Sequence, residues 1–273
     1  MSFLLEPLSY EFMQRGMIAA ILVGIVCAVM GTYVVLRGMA FFGDALAHTI
    51  LPGIALGYLI SGGMREGLFW WALGTSIVAA LSIGALSKNS PIKEDTAIGI
   101  IFAGMFALGI VLISTVRSYA VDLSHFLFGD ILSVSSQSLW LILIFGGIIL
   151  LIVFAFYKEF LTLAFDPILA ATLRLPVGLL NNLLLALLAV TVAVSLQTVG
   201  VALMVAMLVT PAATAYLLTH RLSTMMILAA IFASFAGVIG LYLSYYLSIA
   251  SGAAIVLTAT VFFMLAFAWK KVR

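Results

Sequence analysis

Asp44 and His48 stand four residues apart in Gly43-Asp44-Ala45-Leu46-Ala47-His48-Thr49-Ile50-Leu51-Pro52-Gly53, a stretch otherwise fit for lipid. On an α-helix, positions i and i+4 lie one turn apart on the same face, so a carboxylate and an imidazole can point at one object. One oxygen and one nitrogen donor suit a divalent transition ion such as Mn²⁺ or Zn²⁺ better than Ca²⁺, which prefers an all-oxygen cage. A charged side chain at bilayer depth costs roughly 2.5–3.5 kcal/mol on insertion scales, so this pair needs a partner, a water-filled cavity or a ligand. A structural alternative exists. Asp is a good N-cap, and Asp44 would then cap the following helix while His48 bonds to a neighbouring one. Because intramembrane ionisable residues are functional by default, the metal-ligand reading is preferred. Two ligands per chain do not close a shell. Water, a backbone carbonyl or other residues must complete it.

The elements that position this pair are membrane spans. The chain has 273 residues, 65% hydrophobic and 8% charged, against about 25% charged in a soluble domain. A net charge of +2 without a basic patch gives no reason to expect nucleic acid as a partner. The one cysteine, Cys27, excludes an internal disulfide and lies mid-span, where packing is its expected role and a soft metal ligand the lesser alternative. Glu6 and Glu11 precede the first basic residue, Arg15, the wrong charge order for a signal peptide. Charge-poor runs at 16–36, 45–64, 67–87, 96–116 and 131–157 are each long enough to cross. The longer runs 175–219 and 222–269 hold two helices each, broken at Ser195–Gly200 and Ser248–Gly252. The expectation is an all-α, polytopic transmembrane helical bundle of about nine spans, with eight or ten open if short re-entrant helices mimic spans. The distribution of Lys and Arg places the C-terminus in the cytoplasm and the N-terminus outside, with Glu6–Gln14 as a short interfacial helix. Gly38 and Gly43 suggest that residues 38–43 are irregular backbone dipping into the membrane, which is tolerated where it lines a cavity.

The loop at 158–176 is a second place of interest. Asp166 is a good N-cap and Pro167 a good first helical residue, so a short helix should run from Pro167 to about Leu173 with Leu169 and Leu173 on its exposed face. Physics alone leaves open whether this is a docking handle or an elbow on the membrane surface. Lys93-Glu94-Asp95 opens the fourth span with acids that cap a helix N-terminus. The small-residue run from Gly200 to Ala215 suits close helix approach, and Pro211 frees the carbonyl of Met207. Met207, Thr210 and Pro211 are candidates for a pathway wall or an interface, and plain packing fits nearly as well. In the external segment, Asp122 and His125 have i, i+3 spacing and are weak candidates to sample incoming metal.

Phe42–His48 followed by Leu51-Pro52-Gly53 resembles the signature of the membrane permease subunit of bacterial ABC-type manganese/zinc importers, and the resemblance runs over essentially the whole chain. It implies that Asp44 and His48 are the metal ligands of the translocation pathway. It also implies that Phe165, Asp166, Pro167, Leu169 and Leu173 belong to a coupling helix that docks on ATPase subunits. That family usually has Gly near Thr172 to Leu173, and its absence here leaves the helix end open. The whole of 1–273 is then one transmembrane permease domain, with the 158–176 coupling loop inside it, in the bacterial cytoplasmic membrane. The implied partners are a second copy of the chain, two cytoplasmic ATP-binding subunits, an extracytoplasmic metal-binding protein and lipid. The chain has no Gly-x-x-x-x-Gly-Lys-Ser/Thr run, so it is expected to be no enzyme and to hold no cofactor, with ATP on the partners. Mn²⁺ is favoured over Zn²⁺ as the transported ion, because water and carbonyls readily complete its oxygen-rich shell.

Two other classes compete. A proton-coupled secondary transporter would use Asp44 and His48 as a relay, but no convincing inverted repeat accompanies them. An intramembrane aspartyl protease would pair Asp44 with Asp130, since both sit in Phe-Gly-Asp-x-Leu. Neither run has the Gly-x-Gly-Asp of those enzymes, and Asp130 falls in a polar external segment.

Overall fold

The computed structural model describes residues 6–61, 67–89, 92–115 and 131–272, and every regular element among them is helical. A 3₁₀ turn at Pro7–Ser9 precedes α1 (Glu11–Leu36). Then come α2 (Phe42–Thr49), α3 (Leu51–Ile60), α4 (Leu68–Asn89) and α5 (Glu94–Ser114). After a 3₁₀ turn at Ile131–Ser133 follow α6 (Ser136–Ala155), α7 (Tyr157–Phe165) and α8 (Pro167–Thr172). The chain finishes with α9 (Val177–Val199), α10 (Val201–Leu218), α11 (Leu222–Leu247) and α12 (Ser251–Val272). Helices dominate because a segment in lipid must satisfy its own backbone N–H and C=O groups. Among the described residues nine stretches are long and apolar enough to cross a membrane, α2 and α3 together making one of them.

The breaks fall where backbone chemistry permits them. Gly200 separates α9 from α10 at φ 78°, and Ser248 ends α11 at φ 52°. Both lie within the polar breaks expected from sequence. Two boundaries differ from expectation. No interfacial helix occupies Glu6–Gln14. Only the 3₁₀ turn is there, Tyr10 is extended, and α1 already begins at Glu11. The Glu11–Arg15 ion pair, one turn apart, lets α1 start ahead of its charge-free stretch. The irregular segment before the second span is also shorter than 38–43. Gly38 takes φ 69°, and helix resumes at Phe42.

The chain divides into two compact units. One holds the described residues of Met1–Val35, His125–Leu151 and Ser195–Arg273. Its centre is α1, the most buried of the nine spans. Glycines let α1 approach its neighbours closely. A Cβ on Gly24 would lie 3.2 Å from that of Ala233, and one on Gly237 would lie 2.9 Å from that of Ala20. Cys27 is fully buried here, its Sγ 3.3 Å from Ser195 Oγ, as the packing reading expects. The helices α10, α11 and α12 pack on one another.

The other unit holds the described residues of Leu36–Ser124 and Ile152–Val194. Here α2 and α3 pack between α4 and α5. Glycine sets the spacing on both sides. A Cβ on Gly53 would lie 2.4 Å from the Trp71 carbonyl oxygen of α4, and one on Gly109 of α5 would lie 2.8 Å from Leu51 Cβ. The broken second span is thereby held between two backbone contacts.

Candidate metal site

The second span is two helices because Pro52 cannot donate a backbone hydrogen bond. It is the second residue of α3, where the missing N–H would be unsatisfied in any helix. Ile50 joins α2 to α3, and the Thr49 hydroxyl donates to the Leu46 carbonyl at 2.9 Å, taking up an acceptor beside the break. α2 buries Phe42, Ala45, Leu46 and Ala47. Its remaining face carries the two polar side chains.

Asp44 Oδ1 lies 3.8 Å from His48 Nε2. The Asp44 side chain is 37% exposed and that of His48 25%, so both are reachable yet set into the fold. The capping alternative fails on position: the residue ahead of α2 is Phe41, no side chain caps that end, and Asp44 already lies inside the first turn. A carboxylate there is favoured by the positive end of the helix dipole. His48 Nδ1 is buried and makes no hydrogen bond among the described residues, so the neighbouring-helix bond of the structural alternative is absent too. No group of three or more His, Cys, Asp and Glu gathers anywhere among the described residues. Among the described residues one carboxylate and one imidazole stand together here.

Residues that the sequence reading missed complete the surroundings. Phe102 and Phe106 of α5 stand against the imidazole, with ring centroids 5.9 and 5.6 Å away. Phe41 meets Phe102 edge-on at 5.7 Å. Their i, i+4 spacing was the available signal, but a charge-free span is full of such pairs. At the start of α5, Arg37 Nη2 donates to both Glu94 oxygens, at 3.0 and 3.2 Å. Glu94 and Asp95 lie in the first turn of α5, as expected of acids at a helix N-terminus. Lys93 is the N-cap and makes no side-chain cap. Glu94 also anchors the turn that leads into α2.

The other candidate residues are placed as follows. Asp166 caps α8, its Oδ1 accepting from the N–H groups of Ile168 and Leu169 at 3.0 and 2.9 Å. Pro167 is the first residue of α8. Phe165, Ile168, Leu169 and Leu173 are all exposed, Ile168 most at 78%. The preceding 158–165 stretch is itself helical, as α7. The end of α8 is closed without glycine: Arg174 takes φ 57°, Arg174 N–H donates to Ala171, and Leu175 N–H donates to Ala170. These two bonds around a left-handed residue make a Schellman motif. In α10, Met207 and Pro211 are buried and Thr210 is half-buried. Asp122, His125 and Asp130 lie outside the described residues.

Comparison with known proteins agrees over nearly the whole chain. The sequence matches the ABC 3 transport family over residues 9–270. It is 48% identical to the manganese transport system membrane protein MntC of Halalkalibacterium halodurans over 262 residues, 96% of this chain and 88% of that one. It is 39% identical to the chelated iron transport system membrane protein YfeD of Yersinia pestis, over 100% of this chain and 90% of that one. Among solved structures it is similar to PsaBC from Streptococcus pneumoniae in complex with Fab, with a TM-score of 0.82 and 41% identity, covering 97% of this chain and 94% of that one. With nine apolar helices of spanning length among its described residues and this family match, the chain is a multi-pass permease of the cytoplasmic membrane and belongs to the ABC 3 transport family.

Proposed function

We propose that this permease is the membrane subunit of an ATP-driven importer of divalent transition metal ions, Mn²⁺ before Zn²⁺, with Asp44 and His48 as its ligands for the passing ion. The observation that carries the reading is the pair itself. A carboxylate and an imidazole sit one turn apart, 3.8 Å from each other and partly exposed, beside a helix break in a membrane span. The manganese systems among the relatives support the choice of metal. Iron is the alternative cargo that YfeD brings forward. Asp44 supplies charge and oxygen, His48 supplies nitrogen, and water or carbonyl oxygen completes the shell. Acid should weaken binding, because a protonated imidazole has no lone pair to give.

The same reading extends to the rest of the assembly. Residues 1–273 form one permease domain with its N-terminus outside and its C-terminus in the cytoplasm. Two copies form the pore, and an extracytoplasmic binding protein delivers the ion. Asp122 and His125 are the weakest candidates for meeting it there. Met207, Thr210 and Pro211 belong to a pathway wall or to the interface between copies. Two separate ATPase subunits grip the 158–176 loop. The exposed apolar group Phe165, Ile168, Leu169 and Leu173 around a firmly capped helix supports that role.

The test is ATP-dependent uptake of Mn²⁺, Zn²⁺ and Fe²⁺ into vesicles holding the chain with its ATPase and binding protein. Asp44→Asn and His48→Ala should assemble normally and lose uptake. Uptake that persists without the ATPase would favour proton coupling instead.

A further inference from the structure

A histidine that binds metal usually ties its second ring nitrogen to a carboxylate or carbonyl, which fixes the tautomer and the ring angle. His48 has no such tie. Its Nδ1 is buried without a hydrogen-bond partner among the described residues, while Nε2 is the nitrogen on the Asp44 side. Aromatic rings surround it instead. Phe102 and Phe106 meet the imidazole at interplanar angles of 64° and 80° and stack on each other at 5.7 Å and 18°. Phe41 braces Phe102 at 82° from the far side. The register of α5 is set three residues beyond Phe106, where Gly109 abuts Leu51 and Pro52. Phe102, Phe106 and Gly109 share one face of α5 by their i, i+4, i+7 spacing, and that face meets the second span.

We propose that Phe102 and Phe106 are positioning and specificity-determining residues of the metal site. They hold the His48 imidazole by edge-to-face packing in place of a hydrogen-bonded support, and so keep a nitrogen donor facing the Asp44 side. Edge-to-face geometry is the preferred arrangement of aromatic rings, so it resists rotation of the imidazole away from Asp44. Mg²⁺ is a hard cation bound through oxygen, whereas affinity for a nitrogen donor rises from Mn²⁺ through Fe²⁺ to Zn²⁺, so the selection depends on the imidazole being held in place. The rings thus set the selection against Mg²⁺. This inference rests on Asp44 and His48 being the ligands.

The experiment measures Mn²⁺ binding to the permease assembled with its ATPase, from loss of the free-ion EPR signal, with and without excess Mg²⁺. Phe102→Leu and Phe106→Leu should weaken Mn²⁺ binding about tenfold, the lower end of what loss of ligand support costs, and should let Mg²⁺ compete. Phe106→Tyr keeps the ring and should bind as wild type. If the Leu variants fail to assemble, Phe102→Met and Phe106→Met keep side-chain bulk without a ring and carry the same expectation. Wild-type affinity and Mg²⁺ discrimination in the Leu or Met variants would overturn the proposal, as would a Phe106→Tyr loss equal to that of Phe106→Leu. Unchanged binding in Asp44→Asn and His48→Ala would instead remove the ligand reading on which it stands.

Discussion

Pro52 and Pro211 both stand within apolar spans, and the chain treats them differently. At Pro52 the span breaks, Ile50 forms the joint, and a new helix starts at Leu51. At Pro211 the helix α10 runs on from Val201 to Leu218. The surroundings explain the contrast. Beside Pro211 stand Leu208 and Ala212, and Gly31 of α1 comes so close that a Cβ there would lie 1.7 Å from the Leu208 carbonyl oxygen. Backbone meets backbone, the geometry in which Cα–H groups face carbonyl oxygens across helix interfaces. Beside Pro52 the span is likewise held by glycine contacts, but the turns ahead of it carry a carboxylate and an imidazole. A proline in a span therefore marks function only through the side chains next to it. One region is a packing seam. The other is a packing seam with a carboxylate and an imidazole on it.

The sharpest separation of the two regions is Gly31→Val against Asp44→Asn. The first has no room at all, because the obstacle is backbone, and it should give no recoverable folded protein in detergent. The second changes one partly exposed oxygen and should leave the thermal unfolding temperature close to wild type while abolishing uptake. If Gly31→Val folds, the seam is looser than described. Gly53→Ala comes next. Its Cβ would lie 2.0 Å from Thr75 Oγ1, which can rotate, and 2.4 Å from the Trp71 carbonyl, which cannot. A destabilisation of about 1–3 kcal/mol is expected from overpacking, read by thermal unfolding, with uptake reduced because the α2–α3 joint shifts. Gly147→Ala, where nothing lies within 4 Å, is the matched control.

Smaller effects belong to the 158–176 loop. Asp166→Ala removes two bonds to the first turn of α8 and should cost about 1 kcal/mol of local stability. Its larger signature is uncoupling: ATP hydrolysis should persist while metal uptake falls. Arg174→Gly relieves a left-handed residue and should gain about 1 kcal/mol. The smallest effect is expected of Cys27→Ala, which loses one weak contact with Ser195, roughly 1 kcal/mol or less, and should leave Mn²⁺ uptake unchanged.

Much of this was readable in the chain because membrane burial imposes a coarse code. Charge-free runs of spanning length and glycine or serine breaks mark spans, and Gly200 and Ser248 duly take the positive φ values. Asp166-Pro167 marks a helix start by local hydrogen bonding alone, so the cap on Ile168 and Leu169 could be foreseen. The Asp44–His48 spacing likewise needs only one helix. What the sequence hid depends on tertiary register. Glu94 reads only as an acid at a helix N-terminus, which it is, and its pairing with Arg37, 57 positions earlier, shows only in the fold. Phe102 and Phe106 read as two more apolar residues until Gly109 fixes α5 against Leu51. The left-handed Arg174 was illegible because glycine, the residue that announces that conformation, is missing there.

The most direct test of the ligand pair is pulsed EPR of Mn²⁺ bound to the assembled permease and ATPase. Nitrogen of a coordinated imidazole modulates the Mn²⁺ echo, and no other ligand proposed here supplies nitrogen. Wild type should show that modulation, His48→Ala should lack it, and Asp44→Asn should bind Mn²⁺ weakly or not at all. A nitrogen signal that survives in His48→Ala, with Mn²⁺ affinity unchanged, would place the ion elsewhere and contradict the account.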